Sequence, residues 1–361
     1  MNKRLNALRE AMAAQGLQAL FMTKKSNVRY LSGFSGEDSC LLLTGNGADG
    51  KNYLLTDSRY TCQATAECKD FEVIDYRETA LSLEKTVSLL CREHNCSRLG
   101  FEKEHISYHM YENLVEQCQG FQLLPCSSLV EKLRSCKDPE EILLMRQACE
   151  YTDRVFAKIC EFIQPGQTEK EVEWRLFCLF HEYGCESSFP PVIASGERGA
   201  LPHAAATEKK LKKGEFITID FGCAYQAYHA DMTRSLHLGP ASPKEEDIYR
   251  IVLEANLLAE EAIRAGISGK QLDAVARDFI ADKGYGDKFA HALGHGVGLE
   301  IHELPTVSPR GQGNIPENSF ITIEPGIYIP GWGGIRIEDT LLVRDSEGEN
   351  LFLSTKELIC L

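Results

Sequence analysis

The chain opens with apolar residues at helical spacing. Leu5, Leu8 and Met12 recur among small and charged neighbours, predicting a helix over 2–15 that stops at Gly16. Then the period changes. Residues 19–22 form a short unbroken apolar run, and runs over 40–44 and 52–56 flank a turn rich in glycine and asparagine, the signal of a hairpin. Strands over 71–75 and 99–101, with helices over 79–93 and 107–117, continue the alternation into an α/β domain of about 125 residues, an ordinary size. No cluster of catalytic residue types stands out in it. The polar strand exit Asp57-Ser-Arg-Tyr60 predicts a turn with a capped helix start, in preference to a segment facing a partner or the site.

A domain boundary is expected between Pro125-Cys-Ser-Ser128 and Cys136-Lys137. Past it, Asp138-Pro139-Glu140-Glu141 announces a long helix. Asp138 is the N-cap, Pro139 sits where a missing N–H costs nothing, and Glu141 closes a capping box. Ser242-Pro243-Lys244-Glu245 repeats the device roughly a hundred residues on, well beyond the repeat length of a solenoid. Ile163-Gln-Pro-Gly166 is echoed by Ile263-Arg-Ala-Gly266, and Phe216-Ile-Thr-Ile-Asp220 by Phe320-Ile-Thr-Ile-Glu324. The repeat predicts two α/β halves about a pseudo-twofold axis, each with two helices and an antiparallel strand pair. Matching strands would meet at the centre, and a site built from both would lie between the halves.

Composition narrows the class. A chain of 361 residues exceeds one ordinary core and suits two domains. Its 43% hydrophobic and 25% charged residues are those of a soluble protein. A net charge of −14 argues against a nucleic-acid partner, which needs Lys and Arg to displace counterions. Fourteen cysteines without a CxxC pair, set in apolar runs such as Arg175-Leu-Phe-Cys178, read as small buried hydrophobes in a reducing compartment. The start lacks a signal-peptide core, and no run approaches the ~20 apolar residues of a membrane span. A cytoplasmic protein with no membrane partner is expected.

The chemistry gathers in the repeat. If each strand pair closes as a hairpin, the first over 223–228 and the second over Pro330-Gly-Trp-Gly-Gly334, Asp220 faces Asp231 and Glu324 faces Glu338. Like charges directly opposed destabilise a sheet, so two such pairs at repeat-related positions call for cations between them. His295, in Gly294-His-Gly-Val-Gly298, is a fifth donor, and the glycines let the backbone approach closely. They also argue against a helical pair with His291 and do not spell a dinucleotide fingerprint. Carboxylates with one imidazole favour two divalent ions, Mn²⁺ first, with Co²⁺ or Zn²⁺ as alternatives. Such a pair of ions activates water against a carbonyl or phosphoryl centre. On residue type alone His203 and His302 remain isolated histidines.

In order, Asp220-Phe-Gly, Asp231-Met-Thr-Arg, Gly294-His-Gly-Val-Gly, Glu324-Pro-Gly and Arg336-Ile-Glu338-Asp resemble the pita-bread metallopeptidases. Within that group the chain is most similar to the Xaa-Pro peptidases, aminopeptidase P and prolidase. The resemblance implies a creatinase/prolidase-like domain over 1–130 and a pita-bread catalytic domain over 137–361. It implies that Asp220 and Asp231 hold one metal, that Asp231 and Glu338 bridge, and that His295 and Glu324 complete the second site. It further implies that His203, His291 and His302 bind the substrate carbonyl or move protons, that Glu324 accepts a proton, and that Arg336 steadies the site. The implied substrates are short peptides with proline second, and the implied assembly is a homodimer whose N-terminal domain rims the site. Proline has no N–H and a fixed φ, so peptidases that grip an extended backbone fail on it.

Methionine aminopeptidases are rivals without such an N-terminal domain. Creatinase lacks the ligands, and a non-catalytic peptide- or protein-binding relative would have lost some of them. The reading favoured is an aminopeptidase, with an Xaa-Pro dipeptidase as the alternative. A dipeptidase needs a cation for the free carboxylate of its substrate, which Arg198 or Arg310 could supply.

Overall fold

The computed structural model describes residues 2–45, 50–78 and 81–361. They form two compact units, Met1–Arg134 and Ser135–Leu361.

The first unit runs α1 (Asn2–Ala14), β1 (Ala19–Met22), α2 (Lys25–Ser32), β2 (Ser39–Thr44), β3 (Lys51–Thr56) and α3 (Thr61–Glu67). It continues with β4 (Glu72–Asp75), α4 (Leu83–Glu93), β5 (Arg98–Glu102), α5 (Tyr108–Gln117), β6 (Gln122–Cys126) and α6 (Leu129–Arg134). Its sheet has the order β4-β3-β2-β1-β5-β6, antiparallel about β2 and parallel at both edges. The predicted hairpin is β2–β3, with Leu42 facing Tyr53; residues 46–49 of its turn lie outside the described residues. So do 79 and 80, at the front of the helix predicted over 79–93. The described helix starts at Leu83, with Ser82 as its cap. Asp57 turns the chain by accepting from the Arg59 N–H, and α3 follows without a side-chain cap.

The second unit carries the repeat. Its helices are α7 (Pro139–Phe162), α8 (Glu169–Glu182), α9 (Pro243–Glu261) and α10 (Gly269–Asp282). All four open with a complete capping box, on Asp138, Thr168, Ser242 and Ser268. Each cap is worth about 1 kcal/mol, so the helix starts are fixed locally, before any packing.

The strands of the first half are β7 (Glu186–Ser187), β8 (Val192–Ser195), β9 (Phe216–Phe221), β10 (Cys223–Tyr225), β11 (Tyr228–His229) and β12 (Met232–His237). Those of the second half are β13 (Gly294–Gly296), β14 (Glu303–Val307), β15 (Phe320–Ile323), β16 (Gly326–Ile329), β17 (Gly333–Arg336), β18 (Asp339–Val343) and β19 (Gly348–Asn350). The principal sheets are β12-β9-β8 and β14-β13-β15-β18-β19. One apolar core lies under α7 and α8, where the Phe156 and Phe180 rings stack on Phe221. The other lies under α9 and α10, around Val252, Leu272 and Ile323. The halves meet where the Glu338 N–H donates to Thr233 O at 3.1 Å, which joins repeat-related hairpins at the centre as expected.

The fourteen cysteines are free thiols, eight of them buried, which fits their reading as small hydrophobes. Among the described residues no helix is long and apolar enough to cross a membrane.

Candidate active site

The five donors stand on strands or strand ends. Asp220 is in β9, Asp231 just precedes β12, His295 centres β13, Glu324 directly follows β15, and Glu338 directly precedes β18. The glycines beside His295 make its strand possible. A Cβ at Gly294 would stand 1.9 Å from Thr322 O, and one at Gly296 would stand 2.2 Å from Leu304 O. Only bare backbone fits between β14 and β15.

The first hairpin differs from its predicted register. Asp220 faces Thr233, and Phe221 faces Met232, two residues away from the pairing in which Asp220 faced Asp231. The cause is a two-residue turn: Gln226 and Ala227 take φ of 49° and 69°, which sets Tyr225 opposite Tyr228. Asp231 therefore lies diagonally from Asp220 rather than across from it. The second hairpin keeps the expected register, with Ile323 facing Asp339 and Gly326 facing Arg336 on either side of Glu324 and Glu338.

Acceptors confront acceptors here. His295 Nε2 stands 3.3 Å from Glu324 Oε1 and 3.6 Å from Asp231 Oδ2. Its Nδ1 lies 3.2 Å from Gly296 O. A carbonyl only accepts, so Nδ1 carries the proton and Nε2 turns a lone pair toward two carboxylates. Donor atoms of Asp231, His295 and Glu338 lie within 4.8 Å of one another. Asp220 Oδ1 and Asp231 Oδ1 are buried without a hydrogen-bond partner among the described residues. Without a cation such an arrangement is costly, so the donor set fits divalent metal.

The titration behaviour has the same origin. Burial, then the charges of Glu338, Asp220 and Glu324, raise the Asp231 carboxyl well above its usual range. Glu338 is raised likewise, by burial and then by Glu324 and Asp220. Burial pushes Glu324 up to about 8, with Arg336 opposing. Burial also raises Asp220, again against the nearby Arg336. Burial, and then His302, push His295 down to about 3, leaving a neutral imidazole able to ligate.

A supporting layer orients the donors. The Thr322 hydroxyl accepts from the His295 N–H at 3.0 Å and donates to Glu324 Oε1 at 3.1 Å. The Thr233 hydroxyl donates to Glu338 Oε2 at 2.6 Å and accepts from Arg336 Nε at 3.0 Å. Arg336 also donates to Asp220 Oδ2 at 2.7 Å and to Tyr328 Oη at 2.8 Å. Sequence reasoning does not single out Thr233, Thr322 or Tyr328. The one available signal is the period-two spacing that sets each threonine two residues from an acidic donor, on its face of the strand.

The other histidines differ from one another. His291 Nδ1 lies 2.8 Å from Ala292 O and its Nε2 2.8 Å from Tyr328 Oη, so both ring nitrogens are engaged. Burial, and then Arg336, push its pKa down to about 4. The His302 ring packs edge-on against His295 with centroids 4.3 Å apart, and burial lowers its pKa. His203 is exposed and follows a 3-10 turn, Gly196–Ala200.

The five donors, these three histidines and Arg336 line one cleft of about 560 Å³, walled by Phe189, Pro190, Pro191 and Ile301. Arg198 turns away from it, donating to Glu169 at 3.0 Å and to Ala205 O at 2.5 Å. Arg310 is exposed beyond β14.

Residues 143–345 match metallopeptidase family M24, and residues 4–136 match the creatinase/prolidase N-terminal domain. A relative called Xaa-Pro dipeptidase, from Pyrococcus furiosus, is 36% identical over 99% of this chain and 100% of its own length. Among solved structures, an Xaa-Pro dipeptidase from Bacillus anthracis is 38% identical with a TM-score of 0.95, covering 99% of both chains. An X-Pro aminopeptidase from Thermotoga maritima is 35% identical with a TM-score of 0.89, covering 98% of both.

Proposed function

Because the chain belongs to metallopeptidase family M24, we propose that it is a metallo-exopeptidase that removes the N-terminal residue from short peptides with proline second. Asp220 and Asp231 would hold one divalent ion, His295 and Glu324 a second, with Asp231 and Glu338 shared. Oxygen donors with one imidazole favour Mn²⁺. When bound, such ions supply Lewis acidity toward the scissile carbonyl and the attacking water.

The chain's own residues do the rest. Glu324, steadied by Thr322, receives the proton of the attacking water. His203 and His302, whose side chains make no hydrogen bond to any described residue, stabilise the developing oxyanion and return a proton to the proline ring nitrogen. Arg336 fixes Asp220, and His291, with both nitrogens taken, braces Tyr328 rather than relaying protons.

The observation that carries the aminopeptidase reading is the charge of the cleft. The one arginine or lysine among its described lining residues is Arg336, which is committed to Asp220, Thr233 and Tyr328. No arginine or lysine in that lining is left to pair with the carboxylate of a dipeptide, while Glu173 adds a further acidic group suited to an ammonium. The second reading, an Xaa-Pro dipeptidase, is favoured by the names of the P. furiosus and B. anthracis relatives. Incubating the Mn²⁺-loaded protein with Ala-Pro, Ala-Pro-Ala and Ala-Ala-Ala decides between them. Release of alanine from Ala-Pro-Ala is expected. Cleavage of Ala-Pro alone would make it a dipeptidase, and cleavage of neither proline peptide would sink the Xaa-Pro assignment. A cytoplasmic homodimer completes the proposal, checked by sedimentation of the purified protein.

A further inference from the structure

The loop that presents His203 is tied at its neck by one carboxylate. Glu169, the first residue of α8, has a side chain 0% exposed. Its Oε1 accepts from the Ser195 N–H at 2.9 Å and the Ser195 hydroxyl at 2.8 Å. Its Oε2 accepts from the Thr207 N–H at 3.1 Å and the Thr207 hydroxyl at 2.7 Å. Arg198, within the loop, donates Nε to Oε2 at 3.0 Å and Nη2 to Ala205 O at 2.5 Å. Glu169 thus bonds both ends of the segment 195–207, beside the Ser195–Ile217 strand pairing, a 2.7 Å bond from Lys209 Nζ to Ser195 Oγ and a 3.1 Å bond from the Lys170 N–H to Thr207 O.

The middle of the loop is also held. A Cβ at Gly199 would stand 2.9 Å from Gly334 N, so the two backbones touch there. Arg336 Nη1 donates to Pro202 O at 3.3 Å, one residue before His203. His203 itself is exposed, and its side chain makes no hydrogen bond to any described residue. Where its imidazole points is therefore decided by the backbone beneath it, and that backbone is set by these anchors.

We propose that Glu169 is a positioning residue for catalysis: by clasping Ser195 to Thr207 it holds the His203 loop against the cleft. The inference rests on the proposed role of His203 in acting on the substrate. Glutamine keeps the shape of Glu169 but replaces one acceptor oxygen with an NH₂ group, which confronts the donors of Ser195 or Thr207 and opens one side of the clasp. A displacement of about 1 Å in a catalytic group costs on the order of 10²-fold in rate.

The test is a double-mutant cycle on the Mn²⁺-loaded full chain, with kcat/KM for Ala-Pro-Ala measured in wild type, Glu169→Gln, His203→Ala and the double variant. Glu169→Gln is expected to lose on the order of 10²-fold while keeping the wild-type metal content, and to cost almost nothing further once His203 is alanine. Backbone hydrogen exchange should rise within 195–207 and stay unchanged around His295. A purely structural carboxylate would instead cost the same factor in both backgrounds, and that result overturns the proposal. If His203→Ala keeps full activity, the role of His203 falls and takes the proposal with it. If His203→Ala is impaired yet the cost of Glu169→Gln is undiminished, only the proposal falls. Should Glu169→Gln not fold, Thr207→Val removes one hydroxyl from the clasp and keeps the carboxylate. Its cost should likewise vanish once His203 is alanine, and an undiminished cost overturns the proposal.

Discussion

Asp231 is buried against Glu338, Asp220 and Glu324, and in the metal-free protein that surrounding makes its ionisation unfavourable. The substitution Asp231→Asn should therefore act in opposite directions on two properties. Metal-free protein should melt higher than wild type, because one of several mutually repelling carboxylates is gone. Added Mn²⁺ should no longer raise the melting temperature, and peptidase activity should disappear. Thermal scans with and without Mn²⁺, beside metal analysis, check both. A variant that still binds two ions would refute the assignment of Asp231. The acidic donors were legible in the sequence because a charge inside an apolar β-branched strand is anomalous. Thr233, Thr322 and Tyr328 were not, because uncharged polar residues in strands are ordinary. The shifted register of the first hairpin has an equally local cause: a two-residue turn on Gln226 and Ala227 requires positive φ from residues that rarely supply it.

At the level of elements, α7 to α10 could be read directly or through the repeat, since each start is a cap written into consecutive residues. Helices α2 and α3 lack such a signal: neither N-cap, Lys24 or Tyr60, accepts a side-chain hydrogen bond. What the sequence could not carry at all is which distant elements are pinned together. Lys137, immediately before the α7 cap, donates to Glu303 of β14 at 2.7 Å, with side chains 1% and 2% exposed. Breaking a buried pair costs about 3–5 kcal/mol, because the remaining charge has lost its partner. Lys137→Met should lower unfolding stability by that order, measured by urea denaturation of the metal-loaded protein. Lys137→Met with Glu303→Leu should recover much of the loss, since no charge is then left buried. A double variant as unstable as the single one would show that packing, not charge, was lost.

For the whole molecule, fold class and the existence of a metal centre were evident from the repeat, while the charge balance of the cleft required the structure. That balance sets the response to pH. The raised carboxyls bind protons more tightly folded than unfolded. Their contribution to stability is full below the ordinary carboxyl range and is lost as pH rises through the folded values, about 8 for Glu324. Chelator-treated protein should thus lose melting temperature from about pH 5 to about 8, whereas Mn²⁺-loaded protein should hold its stability as the pH rises. Both tryptophans, Trp174 and Trp332, lie in the second unit, so their fluorescence follows this loss specifically. A metal-free melting curve that ignores pH would contradict the raised carboxyls.

The same crowding of acidic groups makes the cleft an ion exchanger. Near neutral pH the empty cluster keeps protons where cations belong, and loading must expel them into solution. Mixing metal-free protein with Mn²⁺ in weakly buffered solution should therefore acidify it, and the half-saturating Mn²⁺ concentration should fall as pH rises. Acidity and metal supply thereby become one variable for this protein: a compartment that turns acidic would unload it as effectively as one that runs short of the ion.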